Sequence, residues 1–595
     1  MSAPRSIPAL PYPVEADIVL PGSKSIANRA LICAVLAEGT TMISNATPCD
    51  DVEMMVENLA KMGFDIHWED KKSGLIKVAG RSANSQKPKA NSPVTLDCHN
   101  AGTTLRFLTS LACLIPGEWV VTGNEHMRKR PIKDLVSALR SLGAEIEDTN
   151  GCPPIRIKGG TLRGGHVKLK ATISSQFLTS LLLVAPMLKE GLEIELDGQL
   201  ASSGYVDLTK KVMEDFGVKV EQTESKFIVH SGNYQSHSSG YTIEGDWSAA
   251  GVWLVLNALT GSRISCTNLN YSSAQSDRKI IDAIGKLEPK AMAFGSGDVT
   301  IDALQIPDQV MNLAALAAFR KGKTTITGAK NLRFKECNRL AVTVESFRKL
   351  GIQIEEHPDG LIILEREPKT SNQKPVNLEP HADHRMVISF AALGLLLGNV
   401  SISDPECVAK SYPSFFDDLD LIVKSPRPIV IVGMRGVGKS NLGRRLASKL
   451  KLKHLDSDHL IEKRHGNIKE FVKSKGWPAF RSAEESIIAD ALKPGIVLSL
   501  GGGATESVKT RALLKDRAIV IWLQADDREL VKRLKSGKRP PLTDLPLQQE
   551  VAKFQRERAP QYKEVASIIV GSKVRFSGQV GLAMKLLRQL VSPPK

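Results

Sequence analysis

The amino-acid sequence predicts an α/β protein of two units, the first a sixfold repeat and the second a domain with a glycine-rich loop between a strand and a helix. Three observations predict this fold: helix starts that recur between residues 24 and 384, a change in charge and cysteine content near residue 425, and the loop at residues 433–440. The chain has 595 residues, enough for two to four domains at about 150 residues each. Its composition, 42% hydrophobic and 24% charged, is typical of a folded protein.

Charge and cysteine are distributed unevenly along the chain. The 80 Lys and Arg residues against 64 Asp and Glu residues give a net charge of +16 and a pI near 9.3. Residues 425–595 hold 34 basic and 16 acidic residues, a net +18, which leaves −2 for residues 1–424. All eight cysteines lie before residue 425. We therefore predict two domains, residues 1–424 and 425–595, joined near the sequence KSPRP at 424–428. Taken alone, the positive charge would suit a protein that binds nucleic acid or a membrane surface.

The cysteine pattern and the apolar segments exclude several classes of protein. The cysteines are scattered, without a CxxC pair or a Cys/His cluster, so neither a zinc site nor a disulfide framework is predicted. The longest apolar stretches, at 177–188 and 388–397, are shorter than the roughly 20 residues that span a bilayer. The N-terminal residues lack the apolar core of a secretory signal. We expect a soluble cytoplasmic protein with reduced thiols.

A local pattern recurs in the first unit. A helical stretch ends at a glycine and an alternating strand follows, at 61–66 (KMGFDI), 141–146 (SLGAEI), 215–220 (DFGVKV) and 349–354 (KLGIQI). Other helices are predicted to start near Lys24, Thr103, Ser175, Trp247, Asp308 and His384, at spacings of 79, 72, 72, 61 and 76 residues. These spacings predict six copies of a unit ordered helix, strand, helix, strand, strand, the fourth and sixth being degenerate. Ordinary α/β alternation is the alternative.

The helix starts of this repeat carry hydroxyl, amide and charged side chains. They lie at 23–29 (SKSIANR), 100–106 (NAGTTLR), 174–176 (SSQ), 246–248 (DWS) and 383–385 (DHR). A helix N-terminus offers free N–H groups and partial positive charge, which with such side chains favours phosphate or carboxylate binding. One serine there is usually only a cap, but five such starts in one repeat predict a substrate with several anionic groups. Asp308 and Glu336 could transfer protons, although Glu336 between Lys335 and Arg339 also fits an ordinary ion-pair face.

In five motifs the first unit resembles 5-enolpyruvylshikimate-3-phosphate synthase. The motifs, in family order, are 21–29 (PGSKSIANR), 100–103 (NAGT), 174–179 (SSQFLT), 333–339 (RFKECNR) and 383–386 (DHRM). The likeness covers residues 8–424 approximately. It implies an α/β fold of two domains, each built of three βαβαββ units in an inside-out barrel arrangement, which agrees with the six copies.

The resemblance also implies substrates, a reaction and site residues. The family adds the 5-hydroxyl of shikimate 3-phosphate to C2 of phosphoenolpyruvate while C3 is protonated, and phosphate then leaves. Asp308 and Glu336 are implied as base and acid, with Lys24 and Lys335 steering charge. The residues implied for shikimate 3-phosphate are Lys24, Ser25, Arg29, Ser174, Ser175, Gln176, Ser202, Asp308, Asn331 and Lys335, with Tyr205 nearby. Those implied for phosphoenolpyruvate are Lys24, Gly102, His126, Gln176, Arg339, Arg385 and Lys410.

One position departs from the family pattern in a way that bears on function. His126, in 122–131 (TGNEHMRKRP), stands where the family has an arginine that contacts phosphoenolpyruvate. Histidine is shorter than arginine and only partly charged near neutral pH. Either Arg128 substitutes, or affinity for this substrate is weakened, or the unit is impaired, and we expect a raised KM and retained activity. Phe107, Cys337 and Asn338 also depart from the bacterial pattern and resemble the arom-type multifunctional version of the pathway.

The second unit contains a phosphate-binding loop in the required context. A predicted buried strand at 428–432 (PIVIV) leads into 433–440 (GMRGVGKS), which matches GxxxxGK[ST], and a helical stretch follows at 441–450. Lys439 is predicted to reach the β and γ phosphates and Ser440 to ligate Mg²⁺. The backbone predicted to hold the phosphates is that of Gly433, Met434, Arg435, Gly436, Val437 and Gly438. The absence of a guanine-binding signature favours ATP, and the short segment suits a small kinase.

Further residues of the second unit are candidates for an acceptor site. Two acids follow the next predicted strand, two arginines and a glycine turn come later, and 535–541 (KSGKRPP) is predicted to form a lid over the phosphates. A lone arginine would otherwise be assigned to the solvated surface. The candidates are Asp456, Asp458, Arg481, Gly502, Arg539 and Arg558.

The set resembles shikimate kinase across residues 427–590 approximately, which implies a three-layer α/β P-loop fold. In that family, the residues that match Asp458, Arg481, Gly502 and Arg558 bind shikimate, and those that match Ser440 and Asp456 serve Mg²⁺. The residue that matches Arg539 closes on ATP. The implied reaction is in-line transfer of the γ-phosphoryl group to the 3-hydroxyl, with Lys439 on the phosphates and Asp458 orienting the hydroxyl.

The two resemblances together predict a bifunctional enzyme, because the kinase product is the synthase substrate. Such an enzyme would use ATP with Mg²⁺ in the first step, no cofactor in the second, and neither nucleic acid nor membrane as a partner. Two alternatives stay open: an active shikimate kinase carrying an impaired synthase unit, and a basic ATP-dependent module that binds nucleic acid.

Overall fold

The structure, a computed structural model, describes residues 3–80, 93–170, 174–198, 200, 203–287, 297–364, 375–536, 543–571 and 576–591. The chain divides into two units. The first comprises Met1–Pro8, Ile18–Val255 and Cys266–Asp417, and the second comprises Ala9–Asp17, Leu256–Ser265 and Asp418–Lys595. The domain boundary predicted between residues 424 and 425 stays a prediction.

The first 424 residues alternate between helices and short strands. The helices are α1 Lys24–Leu36, α2 Asp50–Lys61, α3 Gly102–Leu114, α4 Lys133–Ser141, α5 Ser175–Val184, α6 Gly204–Asp215, α7 Trp247–Thr260, α8 Ile280–Leu287, α9 Val310–Ala317, α10 Arg339–Lys349, α11 His384–Leu397 and α12 Phe415–Val423. The strands are β1 Arg5–Ile7, β2 Glu15–Ile18, β3 Thr40–Ser44, β4 Asp65–Asp70, β5 Leu75–Ala79, β6 Val94–Asp97, β7 Gly117–Thr122, β8 Glu145–Thr149, β9 Cys152–Gly159, β10 Gly165–Leu169, β11 Leu192–Leu196, β12 Glu221–Gln222, β13 Lys226–Val229, β14 Tyr241–Thr242, β15 Arg263–Cys266, β16 Val299–Asp302, β17 Thr324–Thr327, β18 Ile354–His357, β19 Gly360–Ile363, β20 Val376–Leu378 and β21 Val400–Ile402.

The predicted repeat is confirmed by four sheets with one pairing pattern. Each sheet has an outer strand parallel to its neighbour, followed by two antiparallel pairings. The strand orders are β14-β3-β5-β4, β6-β7-β9-β8, β10-β11-β13-β12 and β16-β17-β19-β18. The glycine that follows the second helix of each of these four copies has a positive φ, the left-handed backbone conformation that commonly ends an α-helix. These glycines are Gly63 (92°), Gly143 (88°), Gly217 (84°) and Gly351 (78°).

The remaining two sheets of the first 424 residues are smaller, in agreement with the degenerate fourth and sixth copies. They are the pair β15-β2 and the three-stranded sheet β1-β21-β20. Strand β14 precedes α7 in the chain but pairs with β3, which follows α1. The chain therefore exchanges a strand between two copies of the repeat, and Gly22 and Gly245 are joined by an isolated antiparallel bridge beside this exchange.

The first helix of each copy is the buried one. Every residue of α1 from Ile26 to Leu36 is buried, and α3 and α5 are buried on nearly all sides because they pack against each other and against α1 and α6. A helix that is apolar all round belongs in a core. The polar side chains at the N-termini of these helices therefore gather at one end of that core.

The second unit contains a parallel five-stranded sheet. Its strands are β22 Ile429–Val432, β23 Lys453–Asp456, β24 Ile496–Ser499, β25 Ile519–Gln524 and β26 Ile568–Gly571. Their order across the sheet is β23-β24-β22-β25-β26. All four residues of the central strand β22 are buried, which confirms the predicted parallel strand. The helices are α13 Lys439–Leu450, α14 Ser457–His465, α15 Ile468–Ala491, α16 Val508–Arg517, α17 Asp527–Ser536, α18 Leu547–Val565 and α19 Phe576–Val591. Among them, α13 packs on α19, and α16 packs on α18. Within the described ranges, no helix is both long and apolar enough to cross a membrane.

Candidate active sites

The first unit contains a polar cleft of about 960 Å³, a volume that includes space open to solvent. Five helix N-termini reach it, those of α1, α3, α5, α10 and α11, and the segment at residues 331–336 lines it as well. Its lining residues are Lys24, Ser25, Arg29, Asp51, Gly102, Thr103, Arg106, Arg130, Pro131, Ser174, Ser175, Gln176, Tyr205, Asp308, Asn331, Phe334, Lys335, Glu336, Arg339 and His384. Four of the five helix starts that the sequence singled out thus meet at this cleft, and the start at 246–248 contributes no residue to its lining.

Arg339 lies at the centre of the ionic network in this cleft. Its Nη1 is 2.9 Å from Asp308 Oδ1, and its Nη2 is 3.0 Å from Glu336 Oε2. Its Nε is 2.7 Å from Asp383 Oδ2, and Asp383 also caps α11 by accepting a bond from Arg385 N–H. The Arg339 side chain is only 2% exposed, so one buried guanidinium contacts three carboxylates.

Further cations complete the network around the same carboxylates. Lys410 Nζ lies 2.5 Å from Glu336 Oε1, and both Lys335 Nζ and Arg385 Nη2 lie 3.6 Å from oxygens of Asp308. Tyr205 donates its hydroxyl proton towards Asp308 Oδ2, at 3.2 Å. Glu336 therefore belongs to a convergent cluster, and the simple ion-pair face that its spacing also allowed does not describe it.

The network sets the ionisation of the two candidate proton-transfer residues. Burial alone would raise the pKa of Asp308, but Lys335, Arg385 and Arg339 outweigh it and hold that pKa well below its usual range. Burial likewise opposes ionisation of Glu336, yet Lys410, Arg339 and Arg130 hold the pKa of Glu336 well below its usual range. Both groups are therefore carboxylates in the free protein at neutral pH.

Lys24 is held by an acid that the sequence did not single out. Its Nζ lies 2.6 Å from Asp51 Oδ2, near the start of α2. Burial would lower the pKa of Lys24, but Asp51, Cys49 and Glu336 together outweigh it and raise that pKa above its usual value. Lys24 is accordingly a fixed cation at the N-terminus of α1.

The structure brings most of the residues implied for the first unit to the cleft, but not all of them. Arg385 and Lys410 contact its carboxylates without lining it, and His126 is exposed at the start of the turn Met127–Lys129, away from the lining. Ser202 lies outside the described residues. Those on the lining are Lys24, Ser25, Arg29, Gly102, Ser174, Ser175, Gln176, Tyr205, Asp308, Asn331, Lys335, Glu336 and Arg339.

In the second unit, the glycine loop has the backbone geometry of a phosphate cradle. Gly433, Gly436 and Gly438 have φ of 142°, 82° and 106°, conformations that favour glycine. Val437 is buried beneath the loop, and Lys439 Nζ folds back to donate to the carbonyls of Gly433 and Met434 at 2.9 and 3.1 Å. The loop therefore presents backbone N–H groups and one ammonium group, as the predicted nucleotide site requires.

Next to the loop, Ser440 and Asp456 form an oxygen-rich pair. Ser440 Oγ donates to Asp456 Oδ2 at 2.6 Å, and Asp456 Oδ1 accepts from Asp458 N–H at 3.1 Å. Hydroxyl and carboxylate oxygens are ligands that Mg²⁺ accepts together with phosphate and water. The pair therefore fits Mg²⁺, and among the described residues no group of three or more His, Cys, Asp and Glu could hold a metal by itself.

Arg481 and Arg558 meet at Glu506. Arg481 Nη2 is 2.7 Å from Glu506 Oε2, and Arg558 Nη2 is 2.6 Å from Glu506 Oε1. Arg481 also pairs with the buried Glu484, at 2.7 Å. The two arginines implied for shikimate are thus adjacent and converge on one carboxylate, which shows that their geometry accepts a carboxylate ligand.

The glycine turn at 501–503 lies beside the same residues. A Cβ on Gly501 would come within 2.8 Å of both Asp458 Oδ1 and Glu484 Oε1, and one on Gly503 would overlap the guanidinium of Arg481. Asp458, Arg481, Gly502 and Arg558 therefore surround one small site. Arg539 and most of the predicted lid lie outside the described residues.

Comparison with known proteins assigns both units. The family model of EPSP synthase (3-phosphoshikimate 1-carboxyvinyltransferase) matches residues 9–419, and that of shikimate kinase matches residues 435–585. The chain belongs to the EPSP synthase family. A 3-phosphoshikimate 1-carboxyvinyltransferase of Methanoculleus marisnigri is 40% identical over 422 residues, which cover 68% of this chain and 96% of the relative. Two structures of EPSP synthase from Acinetobacter baumannii share the fold, with TM-scores of 0.57 and 0.56 at 22% identity, each covering 70% of this chain and 97% of that chain.

An EPSP synthase domain followed by a shikimate kinase domain makes this chain a bifunctional shikimate-pathway enzyme. The family resemblances and the fold predicted from the sequence are confirmed. The roles of individual residues stay predictions.

Several site residues of this EPSP synthase family member were missed by reasoning from the sequence. Asp51 follows another acid at the start of a helix, where acids are common because they favour the helix dipole. Arg106 and Arg130 fall within segments that were quoted, but their spacing carries no signal of its own. Glu484 and Glu506 of the kinase domain show their role only through the arginines that they contact.

Proposed function

We propose that the kinase domain phosphorylates shikimate at the 3-hydroxyl with ATP, and that the EPSP synthase domain then transfers the enolpyruvyl group of phosphoenolpyruvate to the 5-hydroxyl of shikimate 3-phosphate. The observation that carries this proposal is the cleft of the first unit, in which three carboxylates and six Lys and Arg side chains converge near helix N-termini. Two highly charged anions can be brought together only where cations offset their repulsion.

In the kinase step, the backbone of residues 433–438 holds the phosphates of ATP, and Lys439 leaves its carbonyl partners to contact the β and γ oxygens. Arg481 and Arg558 bind the carboxylate of shikimate, which replaces Glu506 between them. Asp458 orients the 3-hydroxyl and accepts its proton as the γ-phosphoryl group is transferred in line.

Ser440 and Asp456 would hold Mg²⁺ in this domain. The ion would neutralise negative charge on the phosphate groups during the transfer. Asp456 would also hold Ser440 and the start of α14 in place, because it accepts hydrogen bonds from both.

In the synthase step, the serines and Arg29 at the starts of α1 and α5 hold shikimate 3-phosphate, and Arg339, Arg385 and Lys410 hold phosphoenolpyruvate. The 5-hydroxyl adds to C2 and loses its proton to Asp308, while C3 gains a proton. The resulting tetrahedral adduct then loses phosphate from C2 and one proton from C3, which restores the double bond.

The charge network supplies the acid as well as the base. Glu336 is ionised in the free protein because Lys410 and Arg339 contact it. When the anionic groups of phosphoenolpyruvate take over these two cations, Glu336 loses its stabilising partners and its pKa rises. Glu336 then carries the proton that C3 receives, whereas Asp308 keeps Lys335 and remains a carboxylate base.

We propose that the enzyme acts in the cytoplasm on small-molecule substrates. None of the eight cysteines forms a disulfide and four of them are buried, which fits a reducing compartment. Neither a nucleic acid nor a membrane is needed to account for the positive charge, because both units direct specific cations at small anions.

Two coupled assays test the proposal. We expect ADP formation that needs shikimate, and phosphate release that needs both shikimate 3-phosphate and phosphoenolpyruvate. ADP formation without that phosphate release would establish the alternative of an impaired synthase unit. ATP turnover that responds to added DNA and not to shikimate would establish the nucleic-acid alternative.

A further inference from the structure

Two arginines of the first unit lie side by side on the first residue of α3. A Cβ on Gly102 would come within 2.6 Å of Nη1 of both Arg106 and Arg130, so both guanidinium groups pack against this glycine. Arg106 donates from Nη1 to the Gly102 carbonyl at 2.7 Å and is only 3% exposed. Two cations thus share one edge of the cleft with the positive end of a helix.

This pair has hydrogen-bonding groups to spare. Arg106 Nε, Arg130 Nε and Arg130 Nη1 are buried, and no acceptor in the described part of the chain contacts them. Buried polar groups in proteins are almost always paired, so unused donors at a cleft indicate that a ligand supplies the acceptor. An anion fits this place, because two guanidinium groups lie side by side with three buried donors that no acceptor in the described residues contacts. Burial and the neighbouring Arg130 both oppose the charge on Arg106 and lower its pKa well below its usual value.

The acids of the cleft do not supply that anion. Glu336 is close enough for Arg130 to lower its pKa, but it already contacts Lys410 at 2.5 Å and Arg339 at 3.0 Å. Asp51 contacts Lys24 at 2.6 Å. The guanidinium pair is therefore left for the substrate.

The neighbours of Arg130 in sequence are directed elsewhere. His126 is exposed, Arg128 contacts Thr122 Oγ1 at 3.3 Å, and Lys129 pairs with Glu125 at 2.6 Å. Among the basic residues at 126–130, Arg130 is the one on the cleft lining. It is thus in position to supply the charge that His126 does not bring.

We propose that Arg130, with Arg106 beside it, binds an oxyanion of phosphoenolpyruvate and takes over the contact that the family assigns to the position of His126. The inference rests on the proposed function of the first unit. It decides among the possibilities raised by His126: the unit keeps its activity, and Arg130 supplies the compensating cation in place of Arg128.

Steady-state kinetics of phosphate release test this assignment. We expect Arg130→Ala to raise the KM for phosphoenolpyruvate about tenfold or more, with the KM for shikimate 3-phosphate unchanged within about twofold, because a charge-assisted contact to one substrate is lost. Arg130→Lys should fall between, since a single ammonium group keeps the charge but not the two-pronged geometry. Lys129→Ala, an exposed neighbour paired with Glu125, is the matched control and should leave both KM values unchanged.

The outcomes separate the inference from the proposed function. Phosphate release at saturating phosphoenolpyruvate verifies that the first unit of each variant is folded, and shikimate-dependent ADP formation verifies the same for the kinase domain. Wild-type chain without phosphate release would overturn the proposed function itself. Active wild type with an unchanged KM for phosphoenolpyruvate in Arg130→Ala would overturn only the inference, as would equal rises in both KM values or a larger rise in Arg128→Ala or His126→Ala.

Discussion

In the proposed function, the two candidate sites recognise phosphate groups by different means. In the kinase domain, the backbone of one loop of eight residues forms the cradle, and glycines with positive φ make it possible. In the EPSP synthase unit, side chains between residues 24 and 410 form the candidate site, and several of its cations, Lys24, Arg339 and Lys410, are held by carboxylates. A backbone site can be coded locally, whereas a side-chain site depends on the whole topology.

The two sites also differ in how deeply their charged side chains are buried, and therefore in how much stability a substitution costs. Arg339 is 2% exposed among three carboxylates, so its removal leaves buried charge without compensation. Arg481 is 26% exposed and its partner Glu506 is 38% exposed, so water shares in their solvation. We therefore expect substitutions of charged residues in the synthase site to lower the stability of the protein together with its activity, and to do so much more than substitutions in the kinase site.

The largest effect should come from removing the principal lysine of each site. Lys439→Ala should reduce shikimate-dependent ADP formation at least about 1000-fold, because one ammonium group neutralises charge on the transferred phosphoryl group. Lys24→Ala should do the same to EPSP formation. Each variant should keep the other activity within about twofold, and loss of both activities in either variant would contradict the independence of the two sites.

Loss of the proposed acid should slow the chemical step of the synthase much more than it weakens substrate binding. Glu336→Gln should lower kcat for phosphate release about 100- to 10,000-fold, the usual range for a general acid or base, with a smaller change in KM. Glu345→Gln, an exposed residue of α10 that pairs with Lys349, is the control and should be neutral. An equal kcat in Glu336→Gln and wild type would remove Glu336 from the mechanism.

Removal of the central guanidinium should destabilise the first unit. Arg339→Leu leaves Asp308, Glu336 and Asp383 without their shared partner, and we expect a loss of about 3–5 kcal/mol in the free energy of unfolding. Lys349→Leu breaks an exposed pair and should cost less than about 0.5 kcal/mol. Urea unfolding followed by tryptophan fluorescence measures both, and equal losses would show that burial of the network carries no energetic weight.

The two units should differ in the sign of one pH effect, the smallest of the four. The depressed pKa values of Asp308 and Glu336 stabilise the folded first unit above their ordinary values of about 4, and this stabilisation is lost as pH falls below them. Burial raises the pKa of Glu484 in the kinase domain, so its ionisation destabilises that unit as pH rises above the ordinary value.

We therefore expect two differences from wild type when the free energy of unfolding is measured between pH 3 and 7. Asp308→Asn should lose less stability than wild type as pH falls at the acid end, and Glu484→Gln should lose less stability than wild type as pH rises towards neutral. The matched reference is wild type at the same ionic strength, because salt screens exposed pairs but not these buried groups. An unchanged pH dependence in both variants would mean that the shifts are compensated within each network.

The sequence was sufficient where structure is encoded locally. Glycines after helices, polar helix starts and the loop at 433–440 placed the repeat and the nucleotide site, because each depends on a few consecutive residues. Asp51 and Glu506 could not be found in this way, since their partners lie 25 or more residues away. Nor could the pairing of β14 with β3, because strand exchange between repeats depends on contacts about 200 residues apart.

This strand exchange has a consequence for how the chain reaches its fold. The sheet that contains β3 acquires its outer strand only when Tyr241–Thr242 is available, and β1 finds its partner only in Val400–Ile402. Contacts so distant in sequence make folding slow, and they postpone closure of the first unit until nearly all of it has left the ribosome. Arg5–Ile7 is thus synthesised long before the strand that it pairs with, Val400–Ile402.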